Sequence, residues 1–120
     1  MTCYLDANIL IAFCNSDHQE HIRAKEVVNQ LVQRGSGLVL SSLSLDELIH
    51  NSLRFAKIPK PQALTQLGDA LNNLFKLPKL KLVNPPTNLK RHLHVVSLIK
   101  NYGLHARDAY HIFIMKAQNF

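Results

Sequence analysis

The sequence predicts an α/β domain in which helices cover a central parallel sheet. Short runs of β-forming residues alternate along the chain with longer segments that repeat their apolar residues at the helical period. The first of these runs is apolar enough for a strand buried on both faces. Residues 109–117 are apolar almost all round, which predicts a helix in the middle of the domain. We therefore expect a three-layer α/β/α sandwich.

The size and charge of the chain bear on its domain organisation and on its partners. The chain has 120 residues, of which 47% are hydrophobic, so residues 1–120 are predicted to form one domain with its own core. The formal net charge of +6 favours a polyanionic partner, nucleic acid above all. A charge that serves only solubility is the alternative.

The first third of the chain predicts two strands with helices between them. Residues 2–6 form the first strand, which turns into a short helical piece ending at Phe13. Residues 15–17 supply capping side chains for the next helix. The predicted apolar stripe of that helix consists of Ala24, Val27, Val28, Leu31 and Val32. Residues 37–41 form the second strand.

Two helices separated by prolines form a predicted insertion at about residues 44–76. Ser42 or Ser44 caps the first helix. The alternation of basic and apolar residues over 79–83 then predicts an exposed or edge strand.

Thr87 or Asn88 is predicted to open the next helix. Its apolar face is predicted to hold Leu89, Leu93, Val96 and Ile99. We expect His92 and His94 to lie on the solvated face of this helix, beside Lys90 and Arg91.

Three lone acids stand at the ends of apolar segments. Asp6 lies at the end of the first strand, Glu47 comes after the second, and Asp108 opens the last helix. Right-handed crossovers place the strand-to-helix junctions of a parallel sheet at one edge, so all three acids are predicted to face that edge. A divalent cation relieves the repulsion among them, and oxygen ligands without His or Cys at matching spacing favour Mg²⁺ or Mn²⁺ over zinc.

Such a site suits the hydrolysis of a phosphodiester bond. Asn8, Ser41 and Ser42 are the candidates for orienting a water molecule there. The chain has no glycine-rich phosphate loop and no zinc-binding histidine pair, which disfavours nucleotide-binding and zinc-hydrolase readings.

Each acid also has a purely structural explanation. Asp6 can cap the turn that follows it, and Glu47 can complete a capping box with Ser44. Asp108 is favoured at a helix start by the helix dipole.

Segments 4–10, 41–47 and 106–111 resemble, in order and spacing, the three motifs of PIN domains, and in particular those of VapC-type toxins. The resemblance runs from residue 2 to residue 118. It implies an α/β/α sandwich and an Mg²⁺- or Mn²⁺-dependent endoribonuclease that dimerises and is inhibited by a partner antitoxin.

By motif match, Asp6, Glu47 and Asp108 take the family's metal-binding and catalytic roles. Asp46 is adjacent to Glu47, but neighbouring residues on a helix point about 100° apart, so only one of the two faces the site. The motif match selects Glu47.

PIN domains usually continue into a last strand that carries a fourth acid, and neither follows in this sequence. We therefore expect a sandwich truncated at the C-terminus. A catalytically degenerate PIN-like module that binds RNA or a partner protein is the alternative to the nuclease.

Cys3 and Cys14 have no CxxC spacing, which predicts buried thiols in a reducing compartment. The sequence shows neither a signal peptide nor the roughly 20 apolar residues of a membrane span. A cytoplasmic protein is expected.

Overall fold

This computed structural model describes residues 1–118. These residues contain six α-helices, one 3₁₀ helix and three short strands. The strands are β1 (Thr2–Tyr4), β2 (Gly37–Ser41) and β3 (Leu80–Val83). The α-helices are α1 (Ala7–Cys14), α2 (His21–Gln33), α3 (Ser42–Arg54), α4 (Lys60–Phe75), α5 (Leu93–Tyr102) and α6 (Ala106–Ala117). The 3₁₀ helix, Leu89–His92, directly precedes α5.

The strands form one parallel sheet in the order β1-β2-β3. β1 and β2 pair in register Thr2 with Gly37, Cys3 with Leu38, and Tyr4 with Val39. The prediction of an α/β fold with a parallel sheet is confirmed. So is the edge position of β3, where Lys81 and Leu82 are exposed.

The described residues pack as two compact units, one comprising Met1–Leu82 and the other starting at Val83. We call these the first unit and the second unit. The single-domain organisation with an insertion at 44–76 stays a prediction, and α3 and α4 occupy that segment.

Each unit has its own apolar core. In the first unit, six leucines that are no more than 2% exposed form one cluster: Leu5, Leu10, Leu38, Leu40, Leu48 and Leu74. In the second unit, Val95 and Leu98 of α5 pack with Ala109 and Phe113 of α6. Burying one such aliphatic or aromatic side chain contributes about 1.5–3 kcal/mol, so these clusters hold the helices in place.

Two local predictions about helix starts and faces are wrong. α2 begins at His21, with Glu20 at the N-cap and no side-chain cap, because residues 16–20 form turns in which His18 Nδ1 accepts the Glu20 N–H at 3.0 Å. The predicted apolar face of α5 is also out of phase. Leu89, Leu93 and Val96 are 86%, 68% and 60% exposed.

The phase error has a geometric cause. Residues 89–92 form a 3₁₀ turn, which has 3.0 residues per turn and not 3.6. Counting a helical stripe from Leu89 therefore misplaces the face of α5, and Val95 and Leu98 point into the core instead.

Both cysteines are free and partly buried, as predicted. Burial raises the pKa of the Cys14 thiol to about 11, because desolvation disfavours the thiolate. Among the described helices, none combines the length and the apolar character needed to cross a membrane.

Candidate active site at the carboxyl edge of the sheet

The register of β1 and β2 makes the two strands end side by side. Tyr4 pairs with Val39, and the Leu5 N–H extends this pairing by donating to the Val39 carbonyl at 2.7 Å. Asp6 and Ser41 each follow the Tyr4–Val39 pair by two residues. The two strand-to-helix junctions therefore open at the same edge of the sheet, as expected for parallel strands.

Asp6 is the N-cap of α1. Its backbone is extended, with φ −79° and ψ 172°, and its Oδ1 accepts the Ile9 N–H at 3.1 Å. The predicted capping role is confirmed. A carboxylate has about four acceptor sites, so one capping bond leaves room for a further ligand, and the side chain is exposed.

Ser41, not Ser42 or Ser44, caps α3. Its Oγ accepts the Ser44 N–H at 3.1 Å. The proposed Ser44–Glu47 capping box is therefore wrong, since Ser44 lies inside the helix. The physical reason is that β2 keeps its extended backbone through Ser41, whose φ is −115° and ψ 163°.

Three hydroxyl groups join the ends of β1 and β2. Tyr4 Oη lies 2.8 Å from Ser41 Oγ and 3.1 Å from Ser44 Oγ, and the two serine oxygens are 3.2 Å apart. We call these three residues the hydroxyl triangle. Ser41 and Ser44 are 0% exposed, so the triangle satisfies polar groups that would otherwise be buried without partners.

Glu47 lies in the second turn of α3 and is partly buried, whereas the adjacent Asp46 is exposed. Glu47 follows Ser44 by three residues, which places both on one face of the helix. Ser44 contacts Tyr4 at the end of β1, and α3 packs against α1, the helix that Asp6 caps.

The water-orienting candidates differ in accessibility. Asn8 on α1 and Ser42 at the start of α3 are exposed at the same edge. Ser41 is buried and its hydroxyl is bonded within the triangle. A role for any of the three in orienting water stays a prediction.

Asp108 belongs to the second unit. It is the third residue of α6 and is exposed in the first turn, where the helix dipole favours an acid. Within neither unit do the described residues gather three His, Cys, Asp or Glu side chains close enough to hold a metal ion.

The chain matches the model of a known protein family. The profile of the PIN domain matches residues 3–120. The chain belongs to the PIN domain family. A search of curated proteins found no match. The resemblance of the three motifs to the PIN domain family is thereby confirmed, and the VapC-type subfamily stays a prediction.

PIN domains are generally nucleases, and they typically use divalent metal ions. The side chains at the carboxyl edge fit such an ion chemically. Asp6 and Glu47 offer carboxylate oxygens, which are hard ligands suited to Mg²⁺ or Mn²⁺, and Asp6 is open to solvent.

The hydroxyl triangle is the feature that sequence reasoning missed. Tyr4 stands two residues before Asp6, and Ser44 occupies a position on the buried side of α3. The available signal was a polar residue within an apolar stripe, which calls for a buried partner. Which residue supplies that partner depends on the register of the strands.

Proposed function

We propose that this PIN domain is a divalent-metal-dependent endoribonuclease that hydrolyses RNA phosphodiester bonds. Asp6, Glu47 and Asp108 are proposed to hold Mg²⁺ or Mn²⁺ and to serve the reaction. The observation that supports the proposal is that α1, capped by Asp6, and α3, which carries Glu47, both begin at the carboxyl edge of β1 and β2, in a chain of this family.

The protein's own structure holds the Asp6 and Glu47 carboxylates in position. Asp6 is held by its N-cap bond, and Glu47 by a helix whose first turn is anchored to β1 through the hydroxyl triangle. Such fixed carboxylates lower the cost of reorganisation during reaction. A divalent cation, when bound, supplies Lewis-acid activation of the phosphoryl group and of the attacking water. Asn8, Ser41 and Ser42 are proposed to orient that water, and of these Asn8 and Ser42 are exposed.

The test is cleavage of a panel of single-stranded RNAs by purified protein with Mg²⁺, with Mn²⁺ and with a chelator. We expect metal-dependent cleavage that falls at least about 100-fold in Asp6→Asn and in Glu47→Gln, since these changes remove charged ligands but keep the shape of the side chain. Asp46→Asn is the matched control, because it removes an exposed acid next to Glu47.

Two results contradict the assignment. Full activity in Asp6→Asn prepared identically shows that a contaminating nuclease or another site cleaves the RNA. Equal loss in Asp46→Asn and Glu47→Gln shows that acidic charge on α3, and not Glu47, matters. Parallel reactions with single-stranded DNA distinguish a ribonuclease from a DNA-directed enzyme.

We further propose that the chain is the VapC-type toxin of a toxin–antitoxin pair, acting in the cytoplasm as a homodimer and neutralised by an antitoxin protein. The resemblance of segments 4–10, 41–47 and 106–111 to such toxins supports this. Induced expression is then expected to arrest growth, and Asp6→Asn to relieve the arrest. Sedimentation tests the dimer, and normal growth on expression of folded protein contradicts the toxin role.

A catalytically degenerate module that binds RNA or a protein is the second candidate. It is supported by the net charge of +6, which favours binding of a polyanion with or without catalysis. Under this reading the folded protein binds RNA without cleaving it under any metal condition, and Asp6→Asn leaves binding unchanged.

A further inference from the structure

A shallow depression of about 240 Å³ on the second unit brings cationic and aromatic side chains together. It is lined by Arg91, His94, Phe113, Lys116 and Ala117. Arg91, His94 and Lys116 are exposed, and no acidic residue lines the depression. We call it the basic pocket.

The floor of the pocket is the buried ring of Phe113. Phe113 is 3% exposed and packs edge-on against the His92 ring, with centroids 5.1 Å apart. His92 is not on a solvated face, contrary to the sequence-based expectation. It is partly buried, because Nε2 lies 2.7 Å from the Pro86 carbonyl and Nδ1 lies 3.2 Å from Tyr110 Oη. Nε2 therefore donates to the carbonyl, which fixes the ring under the pocket.

The second unit also holds most of the chain's net positive charge. Its residues include five Lys or Arg and one acid, Asp108, which leaves it +4 of the net +6. Asp108 and Lys116 stand near opposite ends of α6, about 12 Å apart along the helix axis. The pocket thus lies in a positive field that this acid does little to neutralise.

We infer that Arg91, His94 and Lys116 form a phosphate subsite for single-stranded RNA. An arginine fork and a lysine point charge are the groups that recognise phosphate oxygens. The exposed His94 ring beside them offers an aromatic surface for the flat face of a base, because single-stranded RNA is bound by cations along its backbone and by aromatic rings against its bases. An acidic peptide would match the charge but offers no such ring.

This inference deepens the proposed function and rests on RNA being the substrate. It assigns binding, and not chemistry, to the pocket. A substrate strand held here is kept at the surface of the protein by residues distinct from the proposed metal ligands Asp6, Glu47 and Asp108.

The test measures binding of a fluorescein-labelled single-stranded RNA to the full chain by anisotropy, with a chelator present so that no cleavage interferes. Arg91→Gln and Lys116→Gln are compared with Lys100→Gln. Lys100 is an exposed lysine of α5 that does not line the pocket, and its substitution changes the net charge equally.

For single strands, each phosphate contact makes the fall of log K with rising log salt steeper by about 0.7. One contact therefore raises affinity about fivefold when the salt concentration drops tenfold, from 1 M to 0.1 M. We therefore expect about fivefold weaker binding for each pocket substitution and about 25-fold for the double variant. The salt slope of the double variant should fall by about 1.4. Lys100→Gln should change affinity less than twofold and leave the slope unchanged.

Equal losses in the pocket variants and in Lys100→Gln overturn the inference, because net charge alone then explains binding. Absence of RNA binding by the intact protein overturns it as well. Polyglutamate serves as a second probe. If the two substitutions weaken polyglutamate binding and leave RNA binding intact, the pocket recognises an acidic protein and the RNA assignment is wrong.

Thermal melting separates a structural role from a binding role. Lys116 lies in the last turn of α6, where a cation also stabilises the helix dipole. Binding that falls in step with the melting temperature overturns the inference. The cleavage assay on Asp6→Asn remains a separate test, since full cleavage by that variant refutes the proposed metal site and leaves the pocket result standing.

Discussion

Asp6 combines a structural and a proposed chemical role in one carboxylate. Its Oδ1 caps α1 while the rest of the group stays open to solvent. Because asparagine caps helices about as well as aspartate, Asp6→Asn is expected to keep the cap while removing the charge.

The two roles of Asp6 are separable by substitution. We expect Asp6→Ala to lower the free energy of unfolding by about 1 kcal/mol through loss of the cap, and Asp6→Asn to change it by less than about 0.5 kcal/mol. Urea denaturation measures both. Similar destabilisation by the two variants would show that the carboxylate charge, and not the capping bond, stabilises α1.

Cys14 makes stability depend on pH in the alkaline range. In the folded protein burial raises the pKa of its thiol to about 11, from about 9.0 for an exposed thiol. Between these values the unfolded chain releases the proton and the folded chain keeps it, so the free energy of unfolding falls as pH rises through this window.

Comparison of wild type with Cys14→Ala isolates this effect. The variant loses a constant packing contribution, and the wild type alone carries the thiol's pH dependence. The stability difference between the two is therefore expected to shrink from pH about 9 to pH about 11 in urea titrations. A difference that is constant with pH would show that the thiol titrates normally in the folded protein.

At the scale of elements, replacing two glycines at helices with alanine is expected to change stability in opposite directions. Gly103 ends α5 with φ +64°, a left-handed backbone conformation that is unfavourable for residues with a side chain. Gly68 lies within α4, and a Cβ there meets nothing within 4 Å. Ala fits both positions sterically, so the backbone decides the outcome.

Gly103→Ala is expected to destabilise the protein by about 1–2 kcal/mol, and Gly68→Ala to stabilise it by about 0.5–1 kcal/mol. Chemical denaturation of the pair under one set of conditions checks both. Stabilisation by Gly103→Ala would mean that α5 ends without a left-handed residue.

The hydroxyl triangle connects β1 to the start of α3, and so connects the two junctions of the proposed site. Tyr4→Phe removes one of the three hydroxyls and leaves Ser41 and Ser44 bonded to each other. We expect a loss of about 1 kcal/mol, the net value of a buried hydrogen bond. Tyr102→Phe is the control, since Tyr102 is 70% exposed and should change stability by less than about 0.5 kcal/mol. Equal stability changes in the two variants would show that the hydroxyl triangle does not stabilise the fold.

At the scale of the molecule, metal binding to the folded state is expected to raise its thermal stability. At a metal concentration ten times Kd, the linked stabilisation is about 1.4 kcal/mol. Melting curves with Mg²⁺ or Mn²⁺ should show a rise in Tm for wild type and Asp46→Asn, and none for Asp6→Asn. A rise that is equal in all three proteins would indicate metal binding elsewhere on the chain.

The sequence by itself determined the class of fold and the positions of the candidate acids. Strand-forming runs alternating with 3.6-period segments are local signals, so the α/β class and the bounds of β2 were predictable. The family followed from three short motifs, which are also local. The course of α1 and the cap at Asp6 needed only neighbouring residues.

The tertiary structure alone decided features that join distant residues. The contact from Ser44 to Tyr4 ties the start of α3 to the end of β1, and it depends on the register of two strands 35 residues apart. The phase of α5 depended on a 3₁₀ turn that composition does not reveal. The basic pocket needed Arg91 and Lys116, far apart in sequence, to be brought together by the packing of α5 on α6. Periodicity reports which side of an element is apolar, whereas packing decides which polar groups meet.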